Sequence, residues 1–169
     1  GIAGICTAYY LAKRGVRVVV CEKGRVAGEQ SLRNWGWIRK QGRDPGELAL
    51  MIESLRRWHE IVPTLDEDIG FKIGGVTYLA ESEQELAERE SWLQHARPYQ
   101  LDSHMIGAAE VARMLGRDDR HFVGALTTPS DARAEPWKAV PAIAPAARAA
   151  GAEIHEATAV RTIEREAGR

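Results

Sequence analysis

The first residues of the chain have the spacing of a phosphate-binding turn. Gly1 and Gly4 stand three positions apart in Gly1-Ile2-Ala3-Gly4, at the start of a helical pattern. A glycine at position 1 lets a phosphate approach the backbone, and one at position 4 lets the helix pack closely on a strand. The free N–H groups at the start of a helix also favour an anion. We therefore predict that residues 1–4 bind a pyrophosphate, although two glycines alone also occur at many other helix starts.

Glu22 supplies a carboxylate where a fold of this kind binds a ribose. Residues 2–14 have apolar side chains at helical spacing, Gly15 ends that helix, and residues 16–21 (VRVVVC) are typical of a strand buried on both faces. Glu22 follows at once, 18 residues beyond Gly4. A carboxylate there can accept hydrogen bonds from both hydroxyls of an adenosine ribose. The order of helix and strand favours this role over that of a solvated charge at a strand end.

The loop after Glu22 offers polar and aromatic groups to a ligand. The planar guanidinium of Arg33 can bind a phosphate through two hydrogen bonds. Trp35 and Trp37, on either side of Gly36, can cover a ring system. Two alternatives stay open: a surface loop with a solvated arginine, and tryptophans that serve only for packing.

The rest of the chain alternates between helical and strand patterns. Asp44 and Ser82 each cap a predicted helix, and Gly74-Gly75 predicts a hairpin turn. The predicted helices are 44–62, 82–96, 109–115 and 135–151, and the predicted strands are 71–73, 76–79, 124–128, 153–155 and 160–163. Because the pattern changes near Thr64 and Asp131, we predict three segments. These are the first part of a nucleotide-binding domain (1–64), part of a substrate-binding domain (65–130) and the continuation of the nucleotide-binding domain (131–169).

Four stretches of the chain resemble the D-amino-acid oxidase-like (DAO) superfamily of FAD-dependent oxidoreductases, of the D-amino-acid dehydrogenase, glycine oxidase and sarcosine oxidase type. They are residues 1–24 (GIAGICTAYYLAKRGVRVVVCEKG), 31–36 (SLRNWG, an S-x-x-N-x-G loop), 131–136 (DARAEP) and 151–160. Residues 65–130 match only loosely, and Ala132 stands where many members have glycine. The first glycine of the motif and the strand before it are missing. We therefore expect a truncated fragment that also lacks the C-terminal half and is inactive alone.

The resemblance implies an α/β fold in which an FAD-type Rossmann domain, of the glutathione-reductase-like kind, is interrupted by an α+β antiparallel substrate domain, both incomplete. It implies non-covalent FAD, since no histidine stands near Asn34. It also implies oxidation of the C–N bond of an amino acid or secondary amine, by hydride transfer to flavin N5. The implied FAD-binding residues are Gly1, Ile2, Ala3, Gly4, Glu22, Lys23, Ser31, Arg33, Asn34, Trp35, Gly36 and Val160. No catalytic residue is predicted, because the groups that bind the substrate in this family lie largely in the C-terminal half.

Composition excludes several other classes of function. A net charge of -1 and a pI of about 6.6 give no reason to expect a nucleic-acid partner or an anionic membrane surface. The five histidines show no metal-ligand spacing, and Cys6 and Cys21 are expected to be reduced thiols. We therefore expect no metal, a small-molecule amine or amino-acid substrate, and a cytoplasmic protein, with a peripheral position on the inner membrane as the alternative. The electron acceptor is left open.

Two other functions are compatible with parts of the pattern. One is a nicotinamide-binding Rossmann dehydrogenase, against which the 31–36 loop and the long insertion before the next Rossmann strand argue. The other is a non-catalytic nucleotide-binding or interaction module. Reading the gene beyond both ends of the chain distinguishes the module from an enzyme, because an enzyme of this family needs its C-terminal substrate domain.

Overall fold

A computed structural model describes residues 1–117 and 121–165 and shows a mixed α/β chain. The α/β class is confirmed, whereas the interruption of one domain by another stays a prediction. The helices are α1 (Ile2–Ala12), α2 (Leu48–Ile61), α3 (Glu83–Ser91), α4 (Leu93–Ala96), α5 (Ala108–Leu115) and α6 (Pro136–Ala149). The strands are β1 (Val19–Cys21), β2 (Trp37–Ile38), β3 (Lys72–Ile73), β4 (Val76–Ala80), β5 (His104–Gly107), β6 (Gly124–Thr128), β7 (Ala132–Arg133) and β8 (Glu153–His155).

The chain forms two compact units, and each is built from separate stretches of sequence. The first comprises Gly1–Gly36, Glu60–Phe71 and Ala134–Arg169, and the second Trp37–His59 and Lys72–Arg133. These bounds differ from the three predicted segments, chiefly because residues 37–59 belong to the second unit and residues 60–71 to the first.

In the first unit, α1 packs against α6, and β1 pairs with β8 in parallel, with Val19 opposite Glu153. The apolar stripe predicted for α1 is confirmed, since Ile5, Ala8, Tyr9 and Ala12 are buried. The alanine-rich helix α6 buries its small side chains on the same side as its valine and isoleucine, which lets the two helices approach closely. This pair of helices and the two parallel strands form the frame on which the first turn and the Glu22 loop are built.

In the second unit, β4, β6 and β5 form an antiparallel sheet with β6 in the centre, and α3 and α5 pack on it. A second sheet has the order β2-β7-β3. The predicted hairpin at Gly74-Gly75 is therefore wrong, because β3 pairs with β7 and β4 pairs with β6. Both glycine N–H groups donate to the carbonyl of Asp131 instead. Between β3 and β4 there are two residues, and they face the three residues between β6 and β7. This bulge bends the chain from one sheet into the next.

Three other predicted elements differ from the structure. The strand predicted at 16–21 is confined to Val19–Cys21, and Val19 is exposed rather than buried, because β1 has β8 as its single strand partner among the described residues. The helix predicted at 82–96 breaks at Trp92, whose indole N–H donates to the carbonyl of Arg43 at 3.0 Å. Residues 160–163 form no strand, and Ile163 is fully accessible to solvent.

Candidate functional site

The start of α1 has no cap from its own side chains. Gly1 is the N-cap residue and provides no side-chain cap, and the first turn carries no acidic residue. The Ile2 N–H donates to Ser31 Oγ at 2.9 Å. A Cβ atom at Gly1 would lie 2.9 Å from that same hydroxyl, so position 1 accepts a side chain only if Ser31 moves. At Gly4 an added Cβ would meet no described atom within 4 Å, so the close packing predicted there is not found.

Glu22 lies beside this helix start. Its Oε2 atom is 3.7 Å from the Gly1 nitrogen, and its Oε1 atom accepts the Gly24 N–H at 2.9 Å. The backbone of Glu22 extends the pairing of β1 with β8, since its N–H donates to the carbonyl of His155 and its carbonyl accepts the N–H of Thr158, both at 2.8 Å. The backbone of Glu22 is therefore fixed by the neighbouring strand and its carboxylate by its own turn, with the side chain only 16% exposed.

The 31–36 loop is shaped by two local hydrogen bonds and one glycine. The Asn34 side chain donates to the carbonyl of Ser31 at 2.6 Å and accepts the Gly36 N–H at 2.8 Å. Gly36 has a φ of +75°, and a Cβ there would lie 2.1 Å from the carbonyl oxygen of Ala134. Only glycine fits such a position. Asn34 thus braces the loop that brings Ser31 to the start of α1, and Gly36 lets the loop pass against residue 134.

We call Gly1, Ile2, Glu22 and Ser31 the glycine-turn site. Its parts are separated by up to 30 residues in the sequence, yet Ser31 Oγ lies 2.9 Å from the Ile2 nitrogen and Glu22 Oε2 lies 3.7 Å from the Gly1 nitrogen. Backbone N–H groups at a helix start, a hydroxyl and a carboxylate are the donors and acceptors that a pyrophosphate linked to a ribose requires. The residues present therefore fit the adenosine diphosphate part of a dinucleotide.

The other predicted site residues do not join this cluster. Lys23 is exposed and pairs with Glu29 at 3.2 Å. The backbone N–H of Arg33 donates to the carbonyl of Gln30 at 3.0 Å, its side chain is exposed, and Trp35 is 81% exposed. Val160 is also exposed. All four side chains therefore lie at the surface.

A second polar cluster, in the second unit, was missed by the sequence analysis. Asp131 is completely buried, and its carboxylate accepts the N–H groups of both Lys40 and Gln41, at 2.9 and 3.0 Å. The buried Lys40 ammonium lies 3.1 Å from the same carboxylate. Gln41 accepts the Thr128 hydroxyl at 2.8 Å and donates to the carbonyl of Leu126 at 3.2 Å. We call Lys40, Gln41, Thr128 and Asp131 the Asp131 network.

The Asp131 network fixes the chain on both sides of the bulge between the two sheets of the second unit. Lys40 also donates to the hydroxyl and carbonyl of Ser130, which in turn donates to the exposed Asp102 carboxylate. In the sequence, the one signal for this network is the position of Asp131 at the start of the DARAEP stretch. Nothing in the local sequence of Lys40 and Gln41 indicates that they are buried.

The structure also locates the two cysteine thiols. Cys6 is half-buried on α1, and burial raises the pKa of its thiol. Cys21 is exposed at the end of β1. Across residues 1–117 and 121–165, no three histidine, cysteine or acidic side chains are grouped to hold a metal ion, and no helix has the length and apolar character needed to span a membrane.

Comparison with known proteins is consistent with these features. The family model for DAO, the FAD dependent oxidoreductases, matches residues 1–169. Glycine oxidase from Bacillus licheniformis is 31% identical over 176 residues, which cover 99% of this chain and 46% of that protein. The crystal structure of L-proline dehydrogenase from P. horikoshii superimposes with a TM-score of 0.89 at 26% identity, covering 99% of this chain and 44% of that one. The structure of L-amino acid deaminase from Proteus myxofaciens, in complex with anthranilate, superimposes with a TM-score of 0.91 at 28% identity. The match covers 99% of this chain and 39% of that one. The chain thus spans less than half the length of each of these relatives.

Proposed function

The chain belongs to the DAO family of FAD-dependent oxidoreductases, and we propose that it forms the FAD-binding part of an enzyme that oxidises the C–N bond of an amino acid or secondary amine. The observation that carries the proposal is the glycine-turn site. Glu22 Oε2 lies 3.7 Å from the Gly1 nitrogen, and Ser31 Oγ accepts the N–H of Ile2, so three separate stretches of sequence meet at one helix start.

Each part of the glycine-turn site has a separate role toward FAD. The N–H groups of residues 1–4 and the positive end of α1 bind the pyrophosphate. Glu22 accepts the ribose hydroxyls, because its Oε2 atom points to the helix start while Oε1 is held by Gly24. Ser31 now occupies the Ile2 N–H, so its hydroxyl either shares that donor with a phosphate oxygen or rotates to donate to it.

The 31–36 loop and the exposed side chains near it complete the proposed cofactor site. Asn34 holds the loop in shape, and Gly36 permits the tight passage next to Ala134. Lys23 and Arg33 supply positive charge for the phosphates, Trp35 covers a ring, and the backbone at Val160 meets the adenine. No histidine or cysteine lies in residues 23–42, so this segment holds the flavin non-covalently.

Bound FAD would accept a hydride at N5 from the carbon next to the substrate nitrogen, which leaves an imine that water hydrolyses. In this chain the residues bind and orient the cofactor. The domain arrangement that we propose is an FAD-type Rossmann domain (1–64 and 131–169) interrupted by part of a substrate domain (65–130). The two discontinuous compact units support such an interruption, with boundaries that differ by up to about 30 residues. We propose that the enzyme is cytoplasmic, either free in the cytoplasm or peripheral to the inner membrane.

The proposal is tested by titrating FAD into the apoprotein of the full-length gene product. We expect a yellow protein that releases its flavin on acid precipitation. Glu22→Gln should weaken FAD binding about tenfold, since a charged acceptor of ribose hydroxyls contributes about 1.5–3 kcal/mol. Glu22→Arg should weaken it further. The matched control is Glu67→Gln, an exposed glutamate of the same compact unit, which should bind FAD like the wild type.

Activity on a panel of glycine, D-amino acids, L-proline and N-methyl amino acids tests the reaction class. Turnover of any of these, with loss of the C–N bond and reduction of the flavin, supports the proposal. A colourless protein that binds NAD tightly would instead identify a nicotinamide-dependent dehydrogenase. The protein would instead be a binding module if it contains flavin, its gene encodes no further substrate domain, and no amine of the panel reduces the flavin.

A further inference from the structure

A groove of about 430 Å³ lies between α6 and the loop that follows β1, entirely within the first compact unit. Trp137, Pro141 and Pro145 follow one another at four-residue spacing on α6, so they lie on one face of the helix and line the groove together. Arg148, on the next turn, and Arg25, on the loop, also line it. This volume falls within the range of roughly 300–1,000 Å³ that is typical of small-molecule sites.

The groove carries an excess of positive charge. Within the described residues neither Arg25 nor Arg148 pairs with a carboxylate, and Arg148 donates only to the carbonyl of Ile154, at a long 3.5 Å. The one carboxylate that lines the groove, Glu156, accepts the N–H of Val26 at 2.5 Å and is therefore committed to the backbone. Two arginines that line one cavity can together bind a planar oxyanion.

The α6 side of the groove provides an apolar wall. Trp137 is 58% exposed, and the rings of Pro141 and Pro145 continue its surface along the helix. Such a wall offers packing surface to an aromatic ring.

We propose that this groove binds a small aromatic carboxylate. The carboxylate would lie between Arg25 and Arg148, and the ring would lie against Trp137 and the proline rings. None of the residues proposed to hold FAD lines the groove, so it is a second site and does not depend on the proposed oxidase function.

The test uses the FAD-loaded full-length protein and salicylate, which combines a carboxylate, a ring and a hydroxyl. Isothermal titration calorimetry should show one saturable site. Arg25→Gln and Arg148→Gln should each weaken binding at least tenfold, and Trp137→Leu should weaken it severalfold. The matched control is Arg17→Gln, an exposed arginine of the same unit that does not line the groove. Phenol, which keeps the ring and the hydroxyl, should bind at least tenfold more weakly than salicylate.

The proposal would be overturned by no saturable binding of salicylate, by unchanged affinity in both arginine variants, or by displacement of salicylate when FAD is added to the apoprotein. Inorganic phosphate that competes as strongly as salicylate would also overturn it, because the site would then recognise charge without the ring. The flavin content and melting temperature of every variant should match the wild type. Should Arg25→Gln or Arg148→Gln fail to fold, the lysine variants serve instead and should weaken binding through loss of the two-pronged geometry. A full-length protein that takes up no FAD on titration but binds salicylate would refute the proposed function and leave this one intact.

Discussion

The glycine-turn site and the Asp131 network hold polar groups in opposite environments. Gly1 and Ile2 are exposed at a helix start, and the Glu22 carboxylate accepts the N–H of Gly24 within its own turn. Asp131 and Gln41 have no exposed surface at all, and each is satisfied by partners about 90 residues away. The first arrangement leaves donors free for a ligand, whereas the second leaves none. We infer that the first is built for binding and the second for fixing the chain.

The largest effect that would test this difference is expected at Asp131. Asp131→Ala leaves the buried Lys40 ammonium without its counter-ion and two backbone N–H groups without an acceptor. Removing one partner of a buried ion pair destabilises a protein by about 3–5 kcal/mol. We expect a loss of unfolding free energy of that size, measured by urea denaturation of the full-length protein.

The matched control for Asp131 is Asp102, an exposed aspartate of the same unit that also accepts two hydrogen bonds. Asp102→Ala should cost only about 1 kcal/mol, because water can replace the lost acceptor. Equal effects of the two substitutions would show that burial does not distinguish the Asp131 network from an ordinary surface cluster.

The next largest effect is expected at Gly36, which the glycine-turn site needs for the shape of its loop. Gly36→Ala puts a Cβ at 2.1 Å from the Ala134 carbonyl oxygen and forces alanine into a φ of +75°. The left-handed conformation costs roughly 1–2 kcal/mol and the overlap about 1–3 kcal/mol more. Gly15→Ala is the control, since Gly15 has a φ of +76° and no atom near its added Cβ. Thermal melting should fall far less for Gly15→Ala, and a similar fall would mean that the backbone at residue 36 relaxes freely.

The features that the sequence predicted correctly are those determined over a few neighbouring residues. The caps at Asp44 and Ser82 are formed, with Asp44 accepting the Gly46 N–H and Ser82 accepting that of Glu85. Helices α1, α5 and α6 and strands β6 and β8 lie where their patterns indicate, within two residues at each end. Glu22 lies next to Gly1, because a helix, a glycine turn and a short strand bring it back to the helix start.

The features that were missed or wrong depend on partners far away in the sequence. Strands β2 and β7 have two residues each, and neither has a pattern of its own until the other is beside it, with Trp37 opposite Arg133. Gly74-Gly75 resembles a hairpin turn locally, yet the Asp131 carbonyl captures both N–H groups. Lys40 has the composition of a surface residue and is buried because Asp131 neutralises it. Patterns among neighbouring residues cannot predict these long-range contacts.

A smaller effect is expected for Ser31, and it separates binding from stability within the glycine-turn site. Ser31→Ala removes the acceptor of the Ile2 N–H, which acts as a cap from outside the helix. Loss of such a cap costs about 1 kcal/mol. Stability measured by urea denaturation of the apoprotein should fall by that amount. Ser91→Ala, which removes a bond to the carbonyl of Glu88 within one helix, should have almost no effect. If the two variants are equally stable, Ser31 is no cap and acts on the ligand alone.

The smallest effect concerns the two thiols of the helix–strand pair that supports the glycine-turn site, Cys6 within α1 and Cys21 at the end of β1. Because burial raises the pKa of Cys6, its thiol stays protonated at pH values where an exposed thiol begins to ionise, and the thiolate is the nucleophile. Iodoacetamide at pH 8 should therefore label Cys21, which is exposed, well before Cys6. The folded state also holds the Cys6 proton more firmly than the unfolded chain does. The resulting stabilisation is complete below the unfolded pKa and is lost as the pH rises through the folded one.

Cys6→Ser should leave the labelling rate of Cys21 unchanged. Mass spectrometry that finds both cysteines alkylated at equal rates in the native protein would show that α1 opens readily, and the helix start would then be too mobile to serve as a preformed phosphate site.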